Sequence, residues 1–475
     1  MNLHRNRLHR LAAAAILAFA ATHVAAEPAD GVLDPTFGEE GITMVAFDTA
    51  PANPIDIALD AVVDSFGRTY LVGIVTTTDG QRIGITRLDA SGNVQTSYGP
   101  DDVGLVVAPE QLGFSLTGVS AALAPDGSLL VGGTLSDDGN DDFALCRFDI
   151  DGSLDAFPNG LQCLKVAFDL DGSGSNKSDV LHDIAVQPDG KIVMVGSAVF
   201  SDVHTRAAVA RIDTQGNLDA DFSSGGATSF GTTNGRHSIL KSVAIQANGK
   251  IVAVGEVEPN NSAYTNPLFV RLEADGDPDL SVGANGARML GYSDESVHET
   301  LNALVLLPGH PQLLLDQTVI AVGSINDQIG SELRYGLVAR IGADANPVAG
   351  WGTGGSGYRL DNTGVDLVFN DIALDANGGL LAAGTIRANA NPATTLDYYV
   401  TRFLPNGSTD HDGFNPPSGF SLVDLDGSND IANAIALQNN RIVVAGGSLV
   451  GTTPPDFDFS AIGLLRDRIF ANGFD

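Results

Sequence analysis

IAVQPDGKIVMVG, residues 184–196, reads as a single β hairpin. An apolar run leads into Pro188-Asp189-Gly190, and a second run rich in Ile and Val leads out, which is the short-range signature of two antiparallel strands joined by a tight turn. The same block recurs as AVVDSFGRTYLVG (61–73), AALAPDGSLLVGG (121–133), VAIQANGKIVAVG (243–255), IALDANGGLLAAG (372–384) and IALQNNRIVVAGG (435–447). One further copy, LNALVLLPGHPQLLLDQTVIAVG (301–323), is lengthened in its turn. Self-similarity at a fixed step is the mark of a repeat architecture, and it sets the fold before any single residue does.

A second landmark keeps the same step. Arg87, Arg147, Arg211, Arg271, Arg340 and Arg402 each sit near the end of a short apolar strand, at spacings of 60, 64, 60, 69 and 62. Between copies comes a fourth element with an aromatic-Gly turn, as in LDADFSSGGATSF (218–230). Four antiparallel strands per step is the measure of a propeller blade, and helical periodicity is absent from the repeats. The ends carry more. LDPTFGEEGITMVAFD (33–48) is a fourth element with no first three before it, and FDFSAIGLLRD (457–467) is a third strand with no fourth after it. The expectation is an all-β, seven-bladed β-propeller with four antiparallel strands per blade, closed by pairing the N-terminal strand with the last blade so that neither leaves an open edge.

LDPTFGEEG, VQPDGKIVMVG and VARIDTQGNLDADFSSGG resemble the delta-60 repeat family, exported bacterial propeller repeats of unknown function, over about Leu33 to Leu465. The resemblance implies the fold, export and the repeat number, and it brings no activity or functional residues. The fifth copy departs from it by its longer turn and the seventh by Gly463 near the place of the recurring Arg. The closing RIFANGFD resembles a short tail that ends many exported bacterial proteins; an aromatic plug on the last blade is the other reading.

Arg5, Arg7 and Arg10 precede an apolar run from Leu11 to Ala21 and then Val24-Ala25-Ala26, the layout of a secretory signal peptide cleaved after Ala26. The organisation expected is therefore a leader at 1–26, a propeller at 27–467 and a tail at 468–475. No segment approaches the roughly 20 apolar residues that span a bilayer. Removing the three leader arginines takes the formal charge from −33 to −36. Such a surface repels phosphate backbones and anionic lipid, so nucleic acid is excluded as a partner. Cys146 and Cys163, the two cysteines present, lie 17 apart on neighbouring strands of one blade, and a disulfide is expected in an oxidising compartment.

No residue constellation reads as catalytic. Gly350, Gly352 and Gly355 form a G-x-G-x-x-G, but they fall in the aromatic-Gly turn and lack the helix that pyrophosphate needs. The histidines after the leader, at 182, 204, 237, 298, 310 and 411, share no place in the repeat. The recurring Arg is followed two residues on by an acid in four copies, as in Arg211 with Asp213, which suggests an intra-blade ion pair on one strand face.

FDLDGSGSN (168–176) and VDLDGSND (423–430) set Asp169 with Asp171, and Asp424 with Asp426, in Gly-containing turns that suit Ca²⁺; solvated turns are the alternative. Asp60, Ser120, Asp183, Ser242, Asn302, Asp371 and Ala434 begin the innermost strands, where a ring of small polar residues would line an axial channel; local capping of backbone is the alternative. The function expected is an exported, extracellular or periplasmic, non-catalytic propeller that binds an extracellular protein or glycan as a monomer, with Ca²⁺ as its candidate cofactor. A propeller hydrolase or lyase acting on an extracellular polymer is the rival.

Overall fold

The computed structural model describes residues 29–49, 55–109, 119–137, 140–170, 177–201, 204–230, 235–259, 262–283, 285–293, 297–308, 318–326, 333–361, 363–387, 395–425, 427–450 and 456–466. The leader, the lengthened turn of the fifth copy at 309–317, Asp171, Asp426 and the tail fall outside them. Among the described residues the chain is almost wholly β, with one 3-10 turn at Thr353–Gly355, and no helix is long and apolar enough to cross a membrane.

Each repeat forms an antiparallel four-stranded unit. A representative one runs Leu367–Leu374, Leu380–Arg387, Leu396–Phe403 and Phe420–Val423, each strand pairing with the next. The unit that starts at Asp179–Val186 and the unit that starts at Gly235–Ile245 are merged into one eight-stranded sheet by a single parallel bridge between Thr205 and His237. In every unit the second and third strands are the most deeply buried, as in Leu380–Arg387 and Leu396–Phe403. Their alternating Val, Ile, Leu and Ala therefore pack both faces against neighbouring sheets, and the core is a series of layers between sheets rather than one central mass.

The hairpin turns form as the sequence implies. In the 184–196 block Gly190 adopts φ +85°, its N–H donates to the Gln187 carbonyl, and the Asp189 carboxylate accepts the Lys191 N–H. A second recurring glycine has a different cause. Six first strands carry a β-bulge, at Ala58/Asp60, Leu181/Asp183, Leu240/Ser242, Leu301/Ala303, Phe369/Asp371 and Ala432/Ala434. Opposite each bulge stands the first Gly after the apolar run of the motif: Gly73, Gly196, Gly255, Gly323, Gly384 and Gly446. A Cβ at Gly255 would overlap the Ile239 carbonyl oxygen, and one at Gly196 the Val180 carbonyl oxygen. Glycine is required there because the bulged backbone comes too close for any side chain.

The first strands lie side by side in sequence order, Ile57–Val63 against Ser120–Leu123 and so on to Asp430–Gln438, which lies in turn against Ile57–Val63. The N-terminal strand Ile42–Val45 pairs antiparallel with Asp456–Leu465, Ile42 opposite Ile462 and Val45 opposite Phe459. The segment before it is stitched to the same strand. The Gly31 and Asp34 N–H groups donate to the Leu465 and Gly463 carbonyls, and the Leu465 N–H donates to the Val32 carbonyl, each at 2.8 Å. Phe37, Val45 and Phe47 join Leu71 and Val443 in one buried cluster, with Phe47 and Phe459 rings 4.8 Å apart.

The seventh copy has Gly463 where the others have Arg, and Arg441 of the adjacent strand takes over. Its Nε donates to the Asp34 carboxylate at 2.7 Å, its Nη1 to the Ala90 carbonyl, and its guanidinium lies 5.3 Å from the Phe37 ring centre. Arg441 and Asp34 are 407 residues apart in sequence. Burial works against the Asp34 charge, but hydrogen bonds from Thr36 and Arg441 outweigh it and hold the carboxyl below its ordinary value.

Two outcomes are expected. Arg441→Ala leaves Asp34 buried and unpaired, so unfolding stability in urea falls by about 3–5 kcal/mol; a change below about 0.5 kcal/mol, typical of surface sites, would show that this ion pair does not hold the ends. Gly255→Ala costs about 1–3 kcal/mol through overpacking at the bulge, read as a lower thermal midpoint, whereas alanine at exposed Gly291, which has open space around it and no left-handed φ, costs less.

Candidate functional site

At the bulges two successive positions of each first strand come together, and these build two layers of contacts between neighbouring units. In the first layer Asp60 accepts the Ala61 N–H on Oδ1 and the Ala121 N–H of the next unit on Oδ2, both at 2.7 Å. Asp183 repeats this with Ile184 (2.8 Å) and Val243 (2.7 Å), and Asp371 with Ile372 (2.7 Å) and Ile435 (2.8 Å). Each carboxylate thus caps its own strand with one oxygen and clasps the next unit with the other. Ser120 lies between two of them, donating to Asp183 at 2.7 Å and reaching Asp60 at 3.3 Å.

Ser242 and Ala434 occupy the same place in their units, both buried. Asn302 does not. The register puts Ala303 at this position and Asn302 on the bulge itself, a one-residue offset that the degraded fifth copy conceals in sequence.

The bulge residues form the second layer: Leu59, His182, Lys241, Asn302, Asn370 and Asn433. Three asparagines make one repeated bond. Asn302 donates to the Phe369 carbonyl at 2.9 Å, Asn370 to Ala432 at 2.7 Å, and Asn433 to Ala58 at 2.8 Å. The last of these joins the final repeat to the first. Lys241 fills the same role differently, its Nζ reaching Glu256 and Thr300 at 2.8 Å and the Asn302 Oδ1 at 3.4 Å. His182 lies beside Lys241 and Glu256, and burial together with the lysine charge pushes its imidazole down to about 4, so it is neutral at physiological pH.

Enclosure by protein dominates the electrostatics of the first layer. Burial raises Asp60, and it pushes Asp183 up to about 6 and Asp371 up to about 8; the charges of Asp60 and Asp183 add to the rise at Asp371. Carboxylates from three separate repeats therefore sense one another across a common space. Part of each side chain keeps exposure toward that space even though protein surrounds it.

Away from these layers, five of the six recurring arginines find a partner eight residues on rather than two, while Arg340 has Val348 at that place. Arg147, Arg211, Arg271 and Arg402 donate through Nε to Asp155, Asp219, Asp279 and Asp410 at 2.6–3.0 Å, and Arg87 donates to Gln95. The acid two residues on caps the following turn instead: Asp213 Oδ1 accepts the Gln215 and Asn217 N–H groups. Arg211 also donates to the Ala274 carbonyl of the next repeat, so the pair braces two units. Gly350, Gly352 and Gly355 lie in a turn that holds the short 3-10 element Thr353–Gly355 and runs into the strand Tyr358–Asp361, with no α-helix following to receive a dinucleotide. The Cys146–Cys163 disulfide forms directly across the third and fourth strands of its unit, Cα to Cα 4.1 Å.

The two acidic loops are also offset by their register. Val166 pairs with Phe143 and Val423 with Tyr398, which puts Asp169 at the place of Asp426 and leaves Asp424 two residues earlier. Asp424 joins a constellation that the repeats alone do not announce. Its carboxylate, Asp397 on the strand Leu396–Phe403 and Asp430 at the start of Asp430–Gln438 bring three ligand oxygens within 4.8 Å of one another. Asp397 and Asp430 are buried and Asp424 is exposed. The one sequence signal for Asp397 is an acid before an aromatic in a third strand, shared with Asp142-Phe143 and Asp458-Phe459.

Residues 124–157, 187–222 and 246–281 match the family described as "Domain of unknown function (DUF5122) beta-propeller". Those three segments are similar to β-propeller repeats whose function is not known. It is similar in structure to a protein of unknown function from Dyadobacter fermentans, at 10% identity and a TM-score of 0.43 over 90% of this chain and 100% of that one. It is also similar to the polysaccharide lyase Uly1, at 9% identity and a TM-score of 0.44 over 92% and 96%. A PL25 ulvan lyase is similar at 10% identity and a TM-score of 0.46 over 90% and 98%. No curated protein matches the chain.

The carboxylates of the first layer dictate a pH dependence. Groups whose folded values lie above the ordinary 3.8 contribute stability that is complete below about pH 4 and lost as pH rises through the folded values, here about 6 for Asp183 and about 8 for Asp371. The thermal midpoint should fall from pH 6 to pH 8, and Asp371→Asn should flatten that fall; equal slopes for the two proteins would remove Asp371 as its source.

Proposed function

We propose that this chain is a secreted seven-bladed β-propeller, closed by its N-terminal strand, that binds an extracellular protein or glycan at its axial opening and does no chemistry there. The delta-60 resemblance, the repeated step and the order in which first strands touch support seven blades, and the Ile42–Val45 pairing and the Arg441–Asp34 pair support closure. The basic, apolar and small-residue order of residues 1–26 supports export, and the tail at 468–475 is read as a separate segment. A net charge of −33 turns the surface away from nucleic acid and anionic membranes, and the chain acts as a monomer.

One observation carries the non-catalytic reading. The polar side chains of the axial layers are used in clasps between neighbouring repeats: Asp60, Asp183 and Asp371 on backbone N–H groups, Asn302, Asn370 and Asn433 on carbonyls. A group held this way is not poised as a nucleophile or as one member of an acid–base pair. The second reading, a hydrolase or lyase on an extracellular polymer, has one specific feature in its favour, the neutral His182 beside Lys241 and Glu256 in a layer where the other copies carry Asn or Leu.

An array of glycans and cell-wall polymers probed with the purified protein separates the two. Saturable binding that weakens tenfold or more in His182→Ala or Lys241→Ala, with no new reducing ends or unsaturated sugar released, is the expected result. Product release that His182→Ala abolishes would replace the binding reading with the enzymatic one.

A further inference from the structure

At several junctions between neighbouring units, acids from both sides meet out of contact with solvent. Asp430 opens one first strand and Asp397 sits on the third strand of the unit before it; they are 0% and 3% exposed. Two further junctions repeat the arrangement at equivalent register positions, Asp56 with Asp458 and Asp179 with Asp142, exposed by 9% or less. Hydrogen bonds satisfy only part of these groups. Asp56 accepts the Thr76 N–H on Oδ1, Asp179 accepts the Phe168 N–H on Oδ2, and Asp430 accepts the Leu425 N–H and the Ser448 hydroxyl. Asp56 Oδ2, Asp179 Oδ1, Asp397 Oδ1 and Asp458 Oδ1 are buried and have no hydrogen-bond partner. A buried oxygen without a donor is costly, and a buried carboxylate beside another is costlier, unless a positive charge lies between them.

At one junction such a charge is visible. The Lys165 ammonium lies 2.7 Å from Asp142, on the fourth strand next to it. At the Asp397 junction the third group is Asp424, another acid, and the charges acting on Asp397 are those of Asp424 and Asp430. Three carboxylates from three elements, their oxygens within 4.8 Å, match the reach of a hard divalent cation that holds oxygens at 2.3–2.6 Å and completes its shell of six to eight with backbone carbonyls and water.

We infer that Asp397, Asp424 and Asp430 form a calcium site that pins two neighbouring units together. The lysine of the Asp142–Asp179 junction replaces the ion there. The proposed site lies across a junction, joining Asp424 of one loop to Asp397 and Asp430 of two units; Asp171 and Asp426 fall outside the described residues. This inference stands apart from what the axial opening binds, so either can fail without the other.

The test uses the purified protein stripped with EDTA, exchanged into chelator-free buffer at pH 8 and titrated with CaCl₂ alone in a calorimeter and in thermal melts, with MgCl₂ as comparator. Saturable calcium binding and a rise in midpoint are expected, with magnesium at least tenfold weaker. Asp397→Asn should weaken the tightest calcium site tenfold or more. Asp424→Asn, at the exposed ligand, should do the same in a protein that still folds, while Asp371→Asn at the axis leaves binding unchanged. No heat and no midpoint shift at millimolar calcium would overturn the inference in favour of shared protons at these junctions, and full binding in Asp424→Asn would overturn this ligand set.

Discussion

One residue too many in each of six first strands shapes both the junctions between units and the packing around them. The bulge sets two consecutive residues of the first strand against one of the second, and it brings the first-strand carbonyl onto the second strand. Only glycine fits opposite it. The Gly that ends each apolar run is therefore a packing requirement and not a turn residue, and the two layers exist because it is kept.

Those layers are mostly mortar. Asp60, Asp183 and Asp371 spend one oxygen on their own strand and one on the next unit, and the three asparagines pass a bond to the neighbouring carbonyl in the same direction. Each is a local Asp or Asn interaction with backbone, repeated at a place where it also joins two repeats. Variation in the second layer falls on Leu59, His182 and Lys241, where the lysine takes the place of an asparagine and reaches Thr300 of the next unit. The recurring Arg does equivalent work farther out, linking the acid eight residues on to the turn of the following repeat.

Where the repeat loses an element, the chain restores the interaction from another position. Gly463 removes the seventh arginine, and the space it leaves admits the Arg441 side chain, whose Cδ would meet any Cβ at residue 463. The guanidinium then meets an aspartate, an aromatic ring and a backbone carbonyl, as in the other copies, except that all three come from the other end of the chain. A buried ion pair is weak evidence for stability in general, but removing one partner of such a pair is costly, and here the partners belong to the two ends.

The sequence alone determined the strands, the hairpin turns, the step of about sixty residues that sets four strands per unit and the one disulfide, because each depends on residues close in the chain: Asp189-Gly190 closes its own hairpin, and Cys146 and Cys163 lie on adjacent strands. Asp60, Ser120, Asp183 and Asp371 were legible as one recurring strand position for the same reason. Only the tertiary structure decided that Ala303 and not Asn302 stands in that layer, that Arg211 pairs with Asp219 and not Asp213, and that Asp424 belongs with Asp397 and Asp430. A bulge shifts register by one residue without altering the apolar pattern, a long Arg side chain selects its partner by reach and not by strand face, and acids from two units become neighbours only when their sheets pack, so none of these leaves a local mark that a reading of the chain can find.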